Sequence, residues 1–253
     1  TPLVACVWSC GPDIAGQYPA RYLFEFLANH GMLSVTGSPE WRTVTGGSQR
    51  YVERAAKNLT AVRTATPVRA VTRVDGGVQI QDDGDDVQTF DAGVVATHPD
   101  QALALLTDPT RTQRLVLGAF EYSENPTLLH DDVRVLPKAK RAQASWNYLM
   151  RSCDASASAV EVSYDMNRLQ QLATSDRYLV TLNDPGTIPH AHVIDRMSYR
   201  HPTFTPDSVA AQRRLPELND GVLAFAGAYH GWGFHEDGCR SGVQAAESLG
   251  ASW

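Results

Sequence analysis

The stretch GVLAFAGAYHGWGFHEDGCRSGVQAAESL, residues 221–249, decides how the rest of the chain is read. Val222-Leu223-Ala224-Phe225-Ala226 is a short unbroken apolar run, the composition of a strand buried on both faces. Gly227 to Gly233 follow as a glycine-rich loop that also holds Gly231, His230 and Trp232. A helix then starts near Glu236 and runs through Ala245-Ala246 to Leu249. Strand, glycine loop and helix N-terminus together make a cradle for an anion or polar group. Glycine lets the backbone approach a ligand closely, and the first N–H groups of a helix have no internal acceptor. The pattern alone is common in α/β proteins and names no ligand.

Upstream, other elements can be placed. Residues 19–30 (PARYLFEFLANH) put Tyr22, Leu23, Phe26 and Leu27 on one helical face, with Gly31 as a C-cap. Residues 36–47 are rich in Gly, Ser, Thr and Pro and read as a loop ending in Gly46-Gly47. A helix over 48–58 follows, with Ser48 as its N-cap. Residues 68–74 alternate apolar and polar, Asp75-Gly76-Gly77 turns the chain, and Val78-Gln79-Ile80-Gln81 returns, which predicts a meander with one buried face. Ala92 to Ala96 is a second short apolar run ending at Thr97-His98-Pro99, with helices over about 100–107 and 109–118. Between 121 and 200, extended segments around Leu128, 146–150, 160–164, 178–182 and 193–199 predict an antiparallel sheet with long connections. A further helix is expected over 207–215.

Composition removes several classes of function. The chain has 253 residues, 43% of them hydrophobic, enough for one large domain or two intertwined ones. The net charge is −6 and no Lys/Arg block tracks a phosphate backbone, which argues against nucleic-acid binding. No apolar stretch approaches the roughly 20 residues of a transmembrane helix, and the start has no secretory pattern. Cys6, Cys10, Cys153 and Cys239 lack a second pair at ligand spacing, so reduced, buried thiols in a cytoplasmic protein are expected rather than zinc. His190, His192 and His201 are too scattered for a metal site, and Gly-x-Ser-x-Gly is absent.

Residues 221–249 resemble the C-terminal FAD-binding motif of the flavin amine oxidase and phytoene-desaturase superfamily. Thr66-Pro67-Val68 with Val71 is similar to the family strand whose Val backbone binds the adenine. Asp91 to Thr97 is similar to its D-x-V-V-x-A-T strand, and Gly46-Gly47 to the Gly-Gly before its second FAD segment. All four occur in the family's order. The strings YHGWGFHEDG and SWNY look most like a bacterial NAD/FAD-binding protein branch associated with cyclopropane or methyl-branched fatty acids. Departures are clear. The G-x-G-x-x-G fingerprint with its acidic ribose ligand is missing, so the resemblance implies a fragment that lacks the pyrophosphate-binding segment and holds FAD poorly alone. Ala226-Gly227-Ala228 stands where the family has Ala-Gly-Glu, and Asp237 replaces a usual Gly.

The resemblance implies a set of site residues. Gly46, Gly47, Val68, Ala96, Thr97, Gly227, Gly233, Phe234, His235, Glu236 and Asp237 would bind FAD. His235, His230 and Trp232 are the candidates for catalysis; the alternative is that the histidines only fix the loop and Trp232 only packs. Trp146 and Tyr148 face either a substrate pocket or the core, and Phe204 is placed where a cap would descend. Glu236 is either a flavin neighbour or a first-turn Glu favoured by the helix dipole.

The expected fold is two-part α/β. A partial FAD-binding Rossmann-like domain, from 48–108 and 216–253, is interleaved with a substrate domain from 1–47 and 109–215 that carries a mixed or antiparallel sheet. The expected activity is that of an FAD-dependent oxidoreductase moving hydride to or from flavin N5 on an apolar, lipid-type small molecule. A flavin amine oxidase is the alternative within the fold. A cofactor-free interaction domain is the alternative outside it.

Overall fold

The computed structural model describes residues 2–34, 36–37, 40, 42–150 and 160–252, so Cys153 lies outside the described residues. In chain order the regular elements are α1 (Pro2–Trp8), α2 (Pro12–Ala15), α3 (Ala20–Asn29), α4 (Gln49–Ala56), β1 (Val68–Val74), β2 (Gly77–Asp82), β3 (Val87–Phe90) and β4 (Gly93–Val95). They continue as α5 (Pro99–Leu105), α6 (Arg111–Leu117), β5 (Glu121–His130), β6 (Trp146–Leu149), β7 (Glu161–Asp165), α7 (Met166–Gln170), β8 (Leu179–Leu182) and β9 (Val193–Thr203). The last three are α8 (Pro206–Gln212), β10 (Leu223–Phe225) and α9 (His235–Ser248). The chain divides into two interleaved compact units, residues 1–43 with 122–203 and residues 44–121 with 204–253.

The first unit is built on a five-stranded sheet in the order β6-β7-β8-β5-β9, with β6/β7, β7/β8 and β8/β5 antiparallel. Residues on β7 and β8 are mostly buried on both faces. Burial includes polar side chains, and these pair with one another. His130 Nε2 lies 2.7 Å from Thr181 Oγ1, and Thr181 Oγ1 lies 2.8 Å from Ser163 Oγ. Beside the sheet, Trp8 of α1 packs on Tyr18, Tyr22 and Phe26 with ring centroids 5.0, 6.4 and 4.8 Å away. Cys10 is buried there, and burial pushes its thiol up to about 11.

The second unit holds the antiparallel meander β1-β2-β3, turned at Gly76, whose φ of +72° is left-handed backbone that favours glycine. It also holds the parallel pair β4/β10, in register Leu223 to Gly93, Ala224 to Val94 and Phe225 to Val95. β10 is buried throughout, as its unbroken apolar composition requires. Helix α6 contributes Val116 and Leu117, at 1% and 0% exposure, to the core of this unit. Its start is set by Thr110, whose Oγ1 accepts the Gln113 N–H while the Gln113 side chain accepts the Thr110 N–H.

Candidate functional site

The site residues of the second unit gather where β4 and β10 end. Because the two strands are parallel, their carboxyl ends point the same way, and Ala226 N–H donates to Val95 O at 3.1 Å. Ala96 and Thr97 thus leave β4 beside Gly227 leaving β10. In open α/β sheets this is the end at which ligands are received. Gly227 accepts no larger residue: a Cβ there would stand 2.5 Å from the ring of Tyr229, which folds back over it.

Side chains of the same unit hold the loop that follows. Ser241 Oγ accepts the Gly227 N–H at 2.9 Å, and its hydroxyl reaches Gly238 O at 2.8 Å, fastening the strand end to α9. Asp237, 4% exposed, accepts the N–H groups of Trp232 and Phe234 at 2.9 and 3.1 Å and pairs with Arg240. Gly231 is required by this arrangement, since a Cβ would fall 2.1 Å from Asp237 Oδ1. From the other side, Gln212 at the end of α8 donates from Nε2 to Tyr229 O and Gly231 O, at 2.9 and 2.7 Å.

Between this loop and α4 lies a hollow of about 590 Å³, lined by Tyr51, Ala228, Gly233, Phe234, His235, Glu236, Gly238 and Cys239. That volume is typical of small-molecule sites, which run from about 300 to 1,000 Å³. Residues 235–237 form the first turn of α9, whose N–H groups have no acceptor within the helix. They carry the positive end of the helix dipole to the rim of the hollow. Tyr51 Oη lies 3.4 Å from His235 Nδ1, with the rings edge-on at 6.1 Å and 70°.

The other predicted residues fall elsewhere. Gly46 and Gly47 form the turn into α4, with φ of +81° and +83°. Val68 begins β1 at the bulge opposite Asp82 and is 38% exposed. His230 and Trp232 stand in the loop but do not line the hollow. His230 Nε2 is buried with no hydrogen-bond partner, and burial lowers the imidazole to about 4. Tyr229 Oη is likewise buried and unpartnered, and burial raises its pKa. The carboxylate of Asp237 is turned inward onto the loop, so its direct use as a ligand group gives way to holding the rim. Phe204 is a core residue at 1% exposure and lines neither of the two cavities described here. Cys239 is exposed on α9, which corrects the expectation of buried thiols for that position.

In the first unit, Tyr148 and Asn147 of β6 line a separate cavity of about 520 Å³ together with Asp132, Arg134, Lys138 and Glu161. Trp146 meets Tyr164 edge-on at 6.2 Å. Among the described residues no cluster of His, Cys, Asp and Glu could hold a metal ion, and no helix is long and apolar enough to cross a membrane. Sequence reasoning missed Tyr51 and Gln212. Each acts on a residue far away in the chain, and nothing in its own neighbourhood marks it.

Residues 15–129 match the family model described as flavin containing amine oxidoreductase. Over those residues the chain is similar to the flavin-containing amine oxidoreductases. Among solved structures, its fold is similar to that of a CLA-producing fatty acid isomerase from P. acnes, with a TM-score of 0.63 at 15% identity, over 92% of this chain and 59% of the isomerase. It is similar to putrescine oxidase bound to putrescine, with a TM-score of 0.55 at 14% identity, over 81% of this chain and 53% of the oxidase. It is also similar to reduced UDP-galactopyranose mutase, with a TM-score of 0.52 at 12% identity, over 81% of this chain and 51% of the mutase. At these identities the likeness establishes the fold, and the chain spans little more than half the length of each. No curated protein matches the chain in sequence. The cofactor that goes with the matched family is FAD. The hollow fits it chemically: free helix N–H donors, the aromatic side chains of Tyr51 and Phe234, and glycines at the rim are what a flat, electron-rich ring with polar edges requires.

Proposed function

We infer that the chain forms part of an FAD-dependent oxidoreductase whose flavin ring is received in the hollow at the first turn of α9. The observation that carries this is that the first turn of α9, whose N–H groups no helical carbonyl accepts, lines one hollow with Tyr51, Ala228 and Gly233, next to a glycine loop held in place by Asp237 and Ser241. When bound, FAD supplies the hydride acceptor or donor of the reaction at N5. The chain's own residues bind and shield. The N–H groups of His235 and Glu236 favour the negative charge that reduction places on a ring edge. Tyr51 and Phe234 offer apolar walls, and the His235 imidazole offers a nitrogen that can hold or release a proton at the mouth.

The substrate proposed is an apolar, lipid-type molecule, a reading supported by the resemblance of YHGWGFHEDG and SWNY to a lipid-associated branch and by the isomerase fold. The amine reading is supported by the family match and by the putrescine oxidase fold. Purified full-length gene product titrated with FAD is expected to quench flavin fluorescence saturably. Absence of saturable binding overturns the cofactor assignment. With the flavin loaded, anaerobic bleaching by unsaturated fatty acids and not by primary amines supports the lipid reading, and the reverse outcome replaces it with the amine reading.

A further inference from the structure

Helix α4 stands apart within its unit. None of Gln49–Ala56 is buried, and Tyr51 and Val52 are 44% and 56% exposed. An eight-residue helix with no buried face gains little from packing and is marginal on propensity alone. Its start is nonetheless tightly specified. Gly46 and Gly47 both take left-handed backbone, Gly47 N–H donates to Val44 O at 2.9 Å, and a Cβ on Gly46 would come within 2.8 Å of Arg50 Nε. A turn that demands two glycines aims the helix that follows it.

What α4 is aimed at is His235. The hydroxyl of Tyr51 reaches Nδ1 across 184 positions of sequence, and the two rings meet edge-on. Both residues line the hollow, one from α4 and one from the first turn of α9. A hydroxyl donating to Nδ1 leaves the proton of the neutral imidazole on Nε2 and fixes the plane of the ring. At 3.4 Å the contact is at the long end of hydrogen bonding, so edge packing shares the work. Contacts of this kind tighten when a ligand excludes water.

We propose that Tyr51 is a positioning residue of the flavin site: its hydroxyl sets the tautomer and plane of His235, and its ring forms the α4 wall against which a planar heteroaromatic ring is received. This rests on the assignment of the hollow to FAD made above. It gives α4 a task that its lack of packing otherwise leaves unexplained.

The test uses the full-length gene product with two variants at the position and one neighbour. Tyr51→Phe removes only the hydroxyl, and FAD titration by fluorescence is expected to show affinity weaker by about 2- to 10-fold. Tyr51→Ala removes the wall as well and is expected to weaken affinity by about 10-fold or more. Val52→Ala, exposed on the same helix and absent from the lining, is expected to bind as wild type. Nitrogen-15 NMR of the His235 ring is expected to show the Nε2–H tautomer in the wild type and a tautomer mixture in Tyr51→Phe, with no flavin present. Equal FAD affinity for all four proteins, or an unchanged His235 ring in Tyr51→Phe, overturns the proposal. A wild type that binds no FAD is a different result, visible before any variant is made, and removes the parent assignment together with this one.

Discussion

Two histidines, one in each unit, are held in opposite ways: His130 is wholly buried and His230 is half-buried. His130, at the end of β5, is 0% exposed and uses both ring nitrogens. Nδ1 accepts the Asp132 N–H at 3.1 Å, which leaves the ring proton on Nε2 to be donated to Thr181 at 2.7 Å. His230, in the glycine loop, has a buried Nε2 that meets no hydrogen-bond partner. The sheet consumes its polar groups in fixing register, as the neighbouring bonds from Asn183 to Asn125 and from Asn147 to Ala144 also show. The loop is shaped by groups outside it: Asp237, Ser241 and Gln212 hold its backbone, while the His230 ring lies against Tyr229 with centroids 4.7 Å apart. A buried polar atom left unpaired costs about 1–3 kcal/mol, and native structures keep such atoms where a water or a ligand answers them.

The contrast can be broken at either end. The largest effect is expected from Gly231→Ala, whose new methyl group would collide with the Asp237 carboxylate and release the loop amides it holds. Overpacking and lost hydrogen bonds together predict a loss of about 3 kcal/mol in the second unit, read from thermal or urea unfolding. A wild-type midpoint would show that the Asp237 clasp does not shape the loop. Thr181→Val, in the sheet, keeps the volume but strands His130 Nε2–H and one bond of Ser163. It is expected to cost about 2 kcal/mol in the first unit by the same measurement.

Acidification sharpens the comparison further. Burial is the chief cause that lowers the imidazoles of His130, His201 and His230. Around His130, Asp132, Asp184 and Asp131 oppose that shift while His192 adds to it. Because each folded pKa lies below that of the unfolded chain, near 6.5, unfolding takes up protons as the solution becomes acidic. The contribution is therefore complete above about pH 6.5 and falls as the pH drops toward about 4, the value for His230. The slope is at most about 1.4 kcal/mol per pH unit for each ring. Urea midpoints between pH 7.5 and 4.5 measure it, and a flat profile would contradict neutral burial. His230→Gln is expected to remove part of the slope at little cost in neutral stability, whereas His130→Gln should lower stability at every pH.

Much of the fold was legible before the structure because its signals are local. The meander shows in the β-branched run of 68–74, in the alternation Val78-Gln79-Ile80-Gln81 and in turns rich in Asp and Gly, where Gly76 and Asp85 do take positive φ. The buried pair β4/β10 shows in two short apolar runs, and α9 in a glycine loop followed by acidic residues. The limits fell where the deciding fact is a partner distant in sequence. The sequence joins the helix over 109–118 to the segment that follows it, but α6 belongs to the unit of 44–121 and 204–253, since periodicity gives a helix its apolar face and not the face it meets. The resemblance places Phe204 where a cap would descend; it lies in the core beside the N-terminus of α8. Helices α1 and α2 went unplaced, their apolar residues being too few turns long to show a period. Tyr51 and Gln212 carry no local mark at all, and only the folded chain brings them to the loop.

The clasp made by Asp237 has a thermodynamic side. With its carboxylate bound to the amides of Trp232 and Phe234, and Ser241 bound to Gly227, the rim of the hollow has its form before any ligand arrives. The entropy lost in ordering a glycine-rich segment, about 1–2 kcal/mol per residue, is incurred when the unit folds and not when it binds. Association at this rim then loses mainly the freedom of the ligand itself.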